Sequence, residues 1–195
     1  MRNSRNYLPH LTSQHLIQHI IIRLSDTLPT HVLKRFEREV EHLPTSAAKQ
    51  KLIEKIEAWS DAGHGCCVLR NKNVAELVQE ALLYHHEIRY RLFAWVIMPN
   101  HVHLLLEQLP EWSLNKIVGT FKKRTAHDIL KMNPKLLKPL WQKEYWDRYT
   151  RNRKNFRQVV NYIHQNPVKA GLVKTPEAWA WSTARTWAAF REDID

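Results

Sequence analysis

Cysteine is nearly absent from this chain. Cys66 and Cys67 are the only two in 195 residues, and they are adjacent. Adjacency disfavours a simple disulfide between them, and nothing around them has the paired spacing of a zinc site. The usage is that of a protein kept reduced, which predicts the cytosol. Long apolar runs are missing as well. None approaches the ~20 residues a membrane-spanning helix needs, and the opening MRNSRNYLPHLTSQ lacks the apolar core of a secretory leader. Internal repeats and low-complexity tracts are absent, so the length predicts one domain over 1–195. Negative charge is scarce: 19 Asp and Glu face 30 Lys and Arg, a net +11 with neutral histidines. That excess favours a polyanionic partner, nucleic acid before membrane, although a merely basic soluble protein has the same balance. What is plentiful is apolar and aromatic matter, at 44% hydrophobic residues with eight Trp, enough for a substantial core.

Residues 1–13 are polar and basic and read as a mobile lead-in. Gln14 to Leu24 holds Ile20-Ile21-Ile22 and reads as a core strand. His15 and His19 share one face of it, with no chemistry assigned. Thr30 can cap a helix from His31 to His42, Pro44 ends it, and a second helix runs from Thr45 or Ser46 through Trp59. Asp61-Ala-Gly-His-Gly65 is a turn, His64 a loop residue, and Cys66 to Leu69 a short strand. Asn73 to His86 is an amphipathic helix and Ile88 to Met98 a strand. Ser113 caps a helix to Lys131 whose outer face carries Lys116, Lys122, Lys123 and Arg124. Those side chains are candidates for phosphate contact, or simply for solvation. Pro134 to Pro139 is a loop. Leu140 to Thr150 is an aromatic strand or extended segment able to stack bases, or else core. Asn152 opens a helix that ends at Asn166, because Pro167 disfavours helical geometry in the residue before it. The remainder, 168–195, reads as irregular structure packed on the body.

The stretch that organises the chain is Ala94 to Glu107, AWVIMPNHVHLLLE. Two apolar runs flank a Pro99-Asn100 break, as in a hairpin. A strand alternates its faces, so His101 and His103 share one face and Val102, Leu104 and Leu106 the other. Two imidazoles on one rigid surface are half of a divalent-metal site, though paired strand histidines are also met merely solvated or hydrogen-bonded. Far down the chain, Tyr162 and Asn166 lie four apart and so on one helix face. An amide oxygen can ligate a hard cation, and a phenol can attack phosphorus.

HVH after a strand break, the run YWDRYTRN, and YIHQNPVKAGLV together resemble the REP-associated tyrosine transposases, members of the single-tyrosine HUH (IS200-like) superfamily. The resemblance covers roughly 65–185, and the early strand at Leu16 to Leu24 also fits. The segment 30–60 exceeds the compact family core and reads as a helical insertion of unknown purpose. The resemblance implies an α+β fold, an antiparallel sheet with the HVH strand central and helices packed on it, ferredoxin-like in outline. It implies that His101, His103 and Asn166 hold Mg²⁺ or Mn²⁺ and that Tyr162 is the nucleophile. The implied reaction is metal-dependent cleavage of single-stranded DNA, leaving a 5′-phosphotyrosine and a free 3′-OH, followed by strand transfer. A phenol with an ordinary pKa near 10 needs a proton acceptor or a perturbed environment. The metal environment, Lys169 and His164 are the candidates. The implied substrate is a hairpin-flanked strand, with Arg148, Arg151 and Lys169 near the site, and the implied location is the cytoplasm, at the nucleoid. The relatives include dimers that swap catalytic helices, so both monomer and homodimer stay open.

Three other readings fit parts of the pattern. A histidine-triad nucleotide hydrolase has a third alternating histidine, where this chain has Leu105. A catalytically inactive or domesticated DNA-binding derivative keeps the fold without the reaction. An active enzyme in a housekeeping role cuts chromosomal repeats without moving itself.

Overall fold

The computed structural model describes residues 16–186, together with the backbone of residues 2–5 and 8–11. The lead-in forms two short antiparallel strands, β1 (Arg2–Arg5) and β2 (Leu8–Leu11), in place of an unstructured arm. His15 and the final nine residues lie outside the described part.

The body is a four-stranded antiparallel sheet. Its strands are β3 (Ile17–Arg23), β4 (Tyr90–Ile97), β5 (His101–Gln108) and β6 (Trp146–Tyr149), in the order β4-β5-β3-β6. The HVH strand β5 is therefore interior, as expected, paired to β4 across the hairpin and to β3 on its other side. Register decides what meets what. Arg23 lies opposite His101, Ile21 opposite His103, and His19 opposite Leu105.

Period-two alternation gives the sheet two distinct faces. Ile20, Ile22, Val102, Leu104 and Leu106 pack with α3 (Lys72–Leu83) and α4 (Leu114–Met132) into the larger core. The opposite face carries Ala94, Val96 and Leu105, which pack against Phe156, Val160 and Ile163 of α5 (Arg153–Lys169). His19, Arg23, His101 and His103 lie on this second face, and the residues of β5 from His101 to Leu106 are all buried.

A helical hairpin, α1 (Thr30–Val40) and α2 (Thr45–Asp61), fills the 30–60 segment. Its own core is thin: Val32, Phe36 and Val40 are buried on α1, and Ser60 alone on α2. The hairpin is fastened at its base. Trp59 donates its indole N–H to the Thr27 carbonyl at 2.8 Å and stacks on His64, with ring centres 3.7 Å apart. Gly65 ends this base at φ +93°, and a Cβ there would lie 2.8 Å from the Asp26 carboxylate. That carboxylate accepts from the Cys66 N–H at 2.7 Å, so the turn needs both glycine and Asp26.

Four local expectations are corrected. Residues 66–69 form no strand, because Cys67 sits at φ +50° and starts a 3-10 turn at Val68–Arg70. Of Leu140 to Thr150, only Trp146–Tyr149 is a strand, with a lone bridge from Trp141 to Leu24. The helix at Asn73 ends at Leu83, three residues early, where Tyr90 turns back and donates its hydroxyl to the Leu82 carbonyl at 2.6 Å. Helix α5 does not stop at Asn166 but runs through Pro167 to Lys169. Proline removes one donor, but burial of Pro167 and of Asn166 before it holds the turn in place.

Beyond α5 the described tail is two 3-10 turns laid over β4, as irregular structure packed on the body. Trp181 accepts from the Ile97 N–H at 2.9 Å, Trp179 donates to the Ile97 carbonyl at 3.0 Å, and Thr183 bonds both ends of the Trp95 backbone.

Candidate active site

Neutral imidazoles are the first requirement of a His-based metal site, and burial supplies them. His101 and His103 are each 1% exposed, and desolvation, with the Arg23 charge nearby, holds both well below the usual histidine range. His19, buried beside them, is pushed down to about 3 by burial first, then by Arg23 and Arg148.

Their proton positions follow from the turn before β5. The Asn100 amide donates both its protons to backbone carbonyls, to Ser60 at 3.0 Å and His64 at 2.8 Å. Its oxygen must then face His101, whose Nδ1 lies 2.6 Å away and has to be the protonated nitrogen. The free lone pair of His101 is thereby placed on Nε2, as a metal ligand requires. His103 turns its own Nε2 to within 2.9 Å of that atom and its Nδ1 to within 3.1 Å of His19 Nε2. Two arrangements satisfy this chain. Either His103 carries its proton on Nε2 and donates to His101, or it donates from Nδ1 to His19 and two lone pairs converge. The second is repulsive unless a cation lies between them.

The structure brings a carboxylate to the same place. Asp61, last residue of α2, has Oδ1 3.5 Å from His101 Nε2, and ligand atoms of Asp61, His101 and His103 all lie within 4.8 Å of one another. Asp61 Oδ1 and Asn166 Oδ1 are both buried without a hydrogen-bond donor. Orphaned buried oxygens are costly unless something positive faces them. One carboxylate oxygen and two imidazole nitrogens, those of Asp61, His101 and His103, are a donor set suited to a divalent ion. Burial, and then the Glu57 charge, raise Asp61 to about 6.

On α5, Asn152 caps the first turn through the Asn155 N–H at 2.8 Å, and Tyr162 and Asn166 take one face as expected. The Tyr162 ring meets His103 edge-on at 5.7 Å between centres and His19 at 5.8 Å. Asn166 donates to the Tyr162 carbonyl at 3.2 Å, which leaves its oxygen for other use. The Tyr162 hydroxyl is buried and no neighbour reaches it with hydrogen-bond geometry, though Glu57 and Asn166 lie alongside. Burial, and then the charges of Glu57 and Asp61, push this phenol well above the ordinary tyrosine range.

Of the two side chains suggested as proton acceptors, neither is placed for the task. His164 turns away, 2.9 Å from Thr183 Oγ1 in the tail, and burial lowers it to about 4. Lys169 holds its Nζ over the face of the Tyr162 ring, 4.7 Å from its centre, rather than at the hydroxyl.

The basic residues divide. Lys122 is turned inward: its ammonium donates to the carbonyls of Gln142, Lys143 and Glu144 at 2.9, 3.2 and 3.4 Å, and burial lowers it to about 8. It pins the approach to β6 rather than facing solvent. Arg124 stacks over Tyr84 at 4.5 Å. Lys116, Lys123, Arg148 and Arg151 are exposed, and Arg148 helps line a cleft of about 360 Å³ with His19, Trp146, Tyr149 and Tyr162. Beside it, exposed Arg153, Lys154 and Arg157 line a second hollow along α5 that residue spacing did not single out.

A family model described as "Transposase IS200 like" matches residues 66–166, more than half of the chain. The chain belongs to the IS200-like transposase family. Within it, the chain is 32% identical over 124 residues to the REP-associated tyrosine transposase of Escherichia coli (strain K12), covering 59% of this chain and 71% of that one. It is 29% identical over 104 residues to a putative REP-associated tyrosine transposase of Haemophilus influenzae, covering 48% of this chain and 58% of that one. A solved REP-associated tyrosine transposase bound to a REP hairpin has the same fold, with a TM-score of 0.59 at 20% identity, covering 97% of this chain and 86% of that one. Helices α1 and α2, with Glu57 and Asp61, lie outside the matched segment.

Proposed function

We propose that this protein cleaves and rejoins single-stranded DNA at hairpin-flanked sites through a 5′-phosphotyrosine on Tyr162, with Mg²⁺ or Mn²⁺ as cofactor. The observation that carries the reading is the meeting of Tyr162 with the His101–His103 pair, from segments some sixty residues apart in the chain. In this reading His101, His103 and Asn166 hold the ion, and Asp61 joins them. Once bound, the ion supplies charge stabilisation at the scissile phosphate.

The chain's own residues do the rest. The Tyr162 oxygen attacks phosphorus in line, and the covalent link retains the phosphodiester energy, so rejoining needs no nucleotide cofactor. The cleft of about 360 Å³ suits one nucleotide, its base against Trp146 or Tyr149 and its phosphate near Arg148. Arg151, Lys169, Lys116, Lys123 and the α5 cations extend that basic path, which fits a partner as polyanionic as a DNA hairpin.

The test is covalent capture. With single-stranded hairpin oligonucleotides and Mn²⁺, the protein forms an adduct that survives denaturation, and Tyr162→Phe forms none while still binding the DNA. His101→Ala or EDTA abolishes the adduct as well. An adduct in Tyr162→Phe removes the nucleophile assignment, and undiminished cleavage in EDTA removes the metal role. The burial of the Tyr162 hydroxyl favours a second reading, a DNA-binding derivative that no longer cuts. That reading requires no adduct from the unaltered protein.

A further inference from the structure

We propose that Glu57 is the catalytic residue that takes the Tyr162 phenol proton, so that the α1–α2 hairpin supplies a working part of a site otherwise built in the core. The proposal rests on the reading of Tyr162 as nucleophile. Glu57 and Tyr162 line the same cleft, with Glu57 alongside the phenol but not hydrogen-bonded to it.

Two helices present paired groups to each other. On α5, Tyr162 and Asn166 are one turn apart. On α2, Glu57 and Asp61 are one turn apart, and residues so spaced share a face. Glu57 shares the cleft with Tyr162, while Asp61, one turn on, meets His101 of β5 at 3.5 Å. Arg23 holds this end of α2 in place, donating from Nε to Ser60 Oγ at 3.1 Å, and its buried charge sits among Glu57, Asp61 and Tyr162.

The other acceptors nearby are committed. His19 Nε2 and both ring nitrogens of His101 and His103 face one another or Asn100. His164 faces Thr183, and Lys169 Nζ lies over the Tyr162 ring rather than at its hydroxyl. Glu57 itself is faced by Arg23 from β3, by Tyr162 and Lys169 from α5, and by Glu54 and Asp61 on its own helix.

The phenol O–H proton passes to a Glu57 carboxylate oxygen as the Tyr162 oxygen forms its bond to phosphorus. The P–O3′ bond breaks, and the departing 3′ oxygen takes a proton from water. Rejoining reverses each transfer, with Glu57 returning its proton to the released phenol oxygen.

The experiment measures adduct formation on a pool of single-stranded hairpin oligonucleotides with Mn²⁺, for the full chain and its variants. Glu57→Gln slows the adduct by roughly 10²–10⁴-fold, the range expected for a lost general base. Its Mn²⁺ affinity by calorimetry and its hairpin affinity stay within about threefold of the parent chain. Glu57→Asp, which keeps a carboxylate, retains a partial rate even where Glu57→Gln is poorly folded. Placing 3,5-difluorotyrosine at position 162, a more acidic phenol, restores most of the rate in Glu57→Gln and changes the unaltered chain little. A parent-like rate in Glu57→Gln overturns the assignment, as does a failure of difluorotyrosine to restore it. If the unaltered chain forms no adduct at all, the nucleophile reading falls first and carries this assignment with it.

Discussion

The sheet core and the α1–α2 hairpin meet at one site but are held together by different means. In the core, an interior strand such as β5 is buried from His101 to Leu106, and its imidazoles can move only with the sheet. In the hairpin, α2 buries Ser60 alone, and its two helices are tied by surface pairs such as Lys55–Glu39 at 2.8 Å. The hairpin is anchored at one end, where Trp59, Ser60, His64 and Asn100 lock together. The difference teaches that rigidity and contribution to the site need not go together. The rigid part holds the nitrogens, and the lightly packed part brings the carboxylates.

The largest effect that sharpens this contrast belongs to the joint itself. Asn100→Ala frees the His101 tautomer and cuts the tie to α2, so Mn²⁺ affinity measured by calorimetry falls roughly 10–100-fold. An unchanged affinity breaks the claim that Asn100 sets the lone pair. Next comes packing. Ile22→Ala, in a fully buried core position, costs about 2–5 kcal/mol in urea unfolding. Trp59→Ala costs less global stability yet slows adduct formation, because it detaches the hairpin rather than opening the core. If the two variants lose stability equally, the hairpin is no separate unit.

Acid separates the regions in another way. His19 has a folded value depressed from 6.5 to about 3, and His101, His103 and His164 are lowered too. Such groups contribute stability above the unfolded value that is lost as pH falls below 6.5. For His19 and His164 the loss is about 2 kcal/mol each at pH 5. Asp61, raised from 3.8 to about 6, works in the opposite sense between those values, as does Glu57. Four imidazoles outweigh two carboxylates, so urea unfolding in EDTA shows a less stable protein at pH 5 than at pH 7. His19→Gln weakens that dependence. The smallest contrast lies on α4. Lys123→Gln lowers hairpin affinity with little change in melting temperature, whereas Lys122→Gln lowers the melting temperature because three carbonyls lose their donor.

The placement of these core side chains was legible because period decides it. Alternation puts His101 and His103 together, and helical spacing puts Tyr162 with Asn166, whatever else the chain does. The sheet itself, with β5 interior, followed from the apolar runs and the family resemblance. Asp61 and Glu57 were hidden for the opposite reason. Asp61 sits in a turn-forming string, Glu57 on a helix without a strong apolar stripe, and only the anchoring of α2 at Trp59 and Ser60 aims them at the site. His19 lay in view as a strand residue, but its partner is eighty-four positions away, and only the β3–β5 register joins them. Lys122 has the spacing of a surface lysine, and the nearby carbonyls that claim it come from a loop with no pattern of its own.

Pro167 has a consequence out of proportion to its size. A helix halted by that ring would leave Lys169 on a loose connector. Because α5 carries on for three residues past Asn166, Lys169 lies most of one further turn along the same rod, and its Nζ lies above the aromatic face of Tyr162 at 4.7 Å. The Tyr162 oxygen, the Asn166 amide and the Lys169 side chain are thus mounted on a single stiff shaft, so any rotation that moves one of them moves all three.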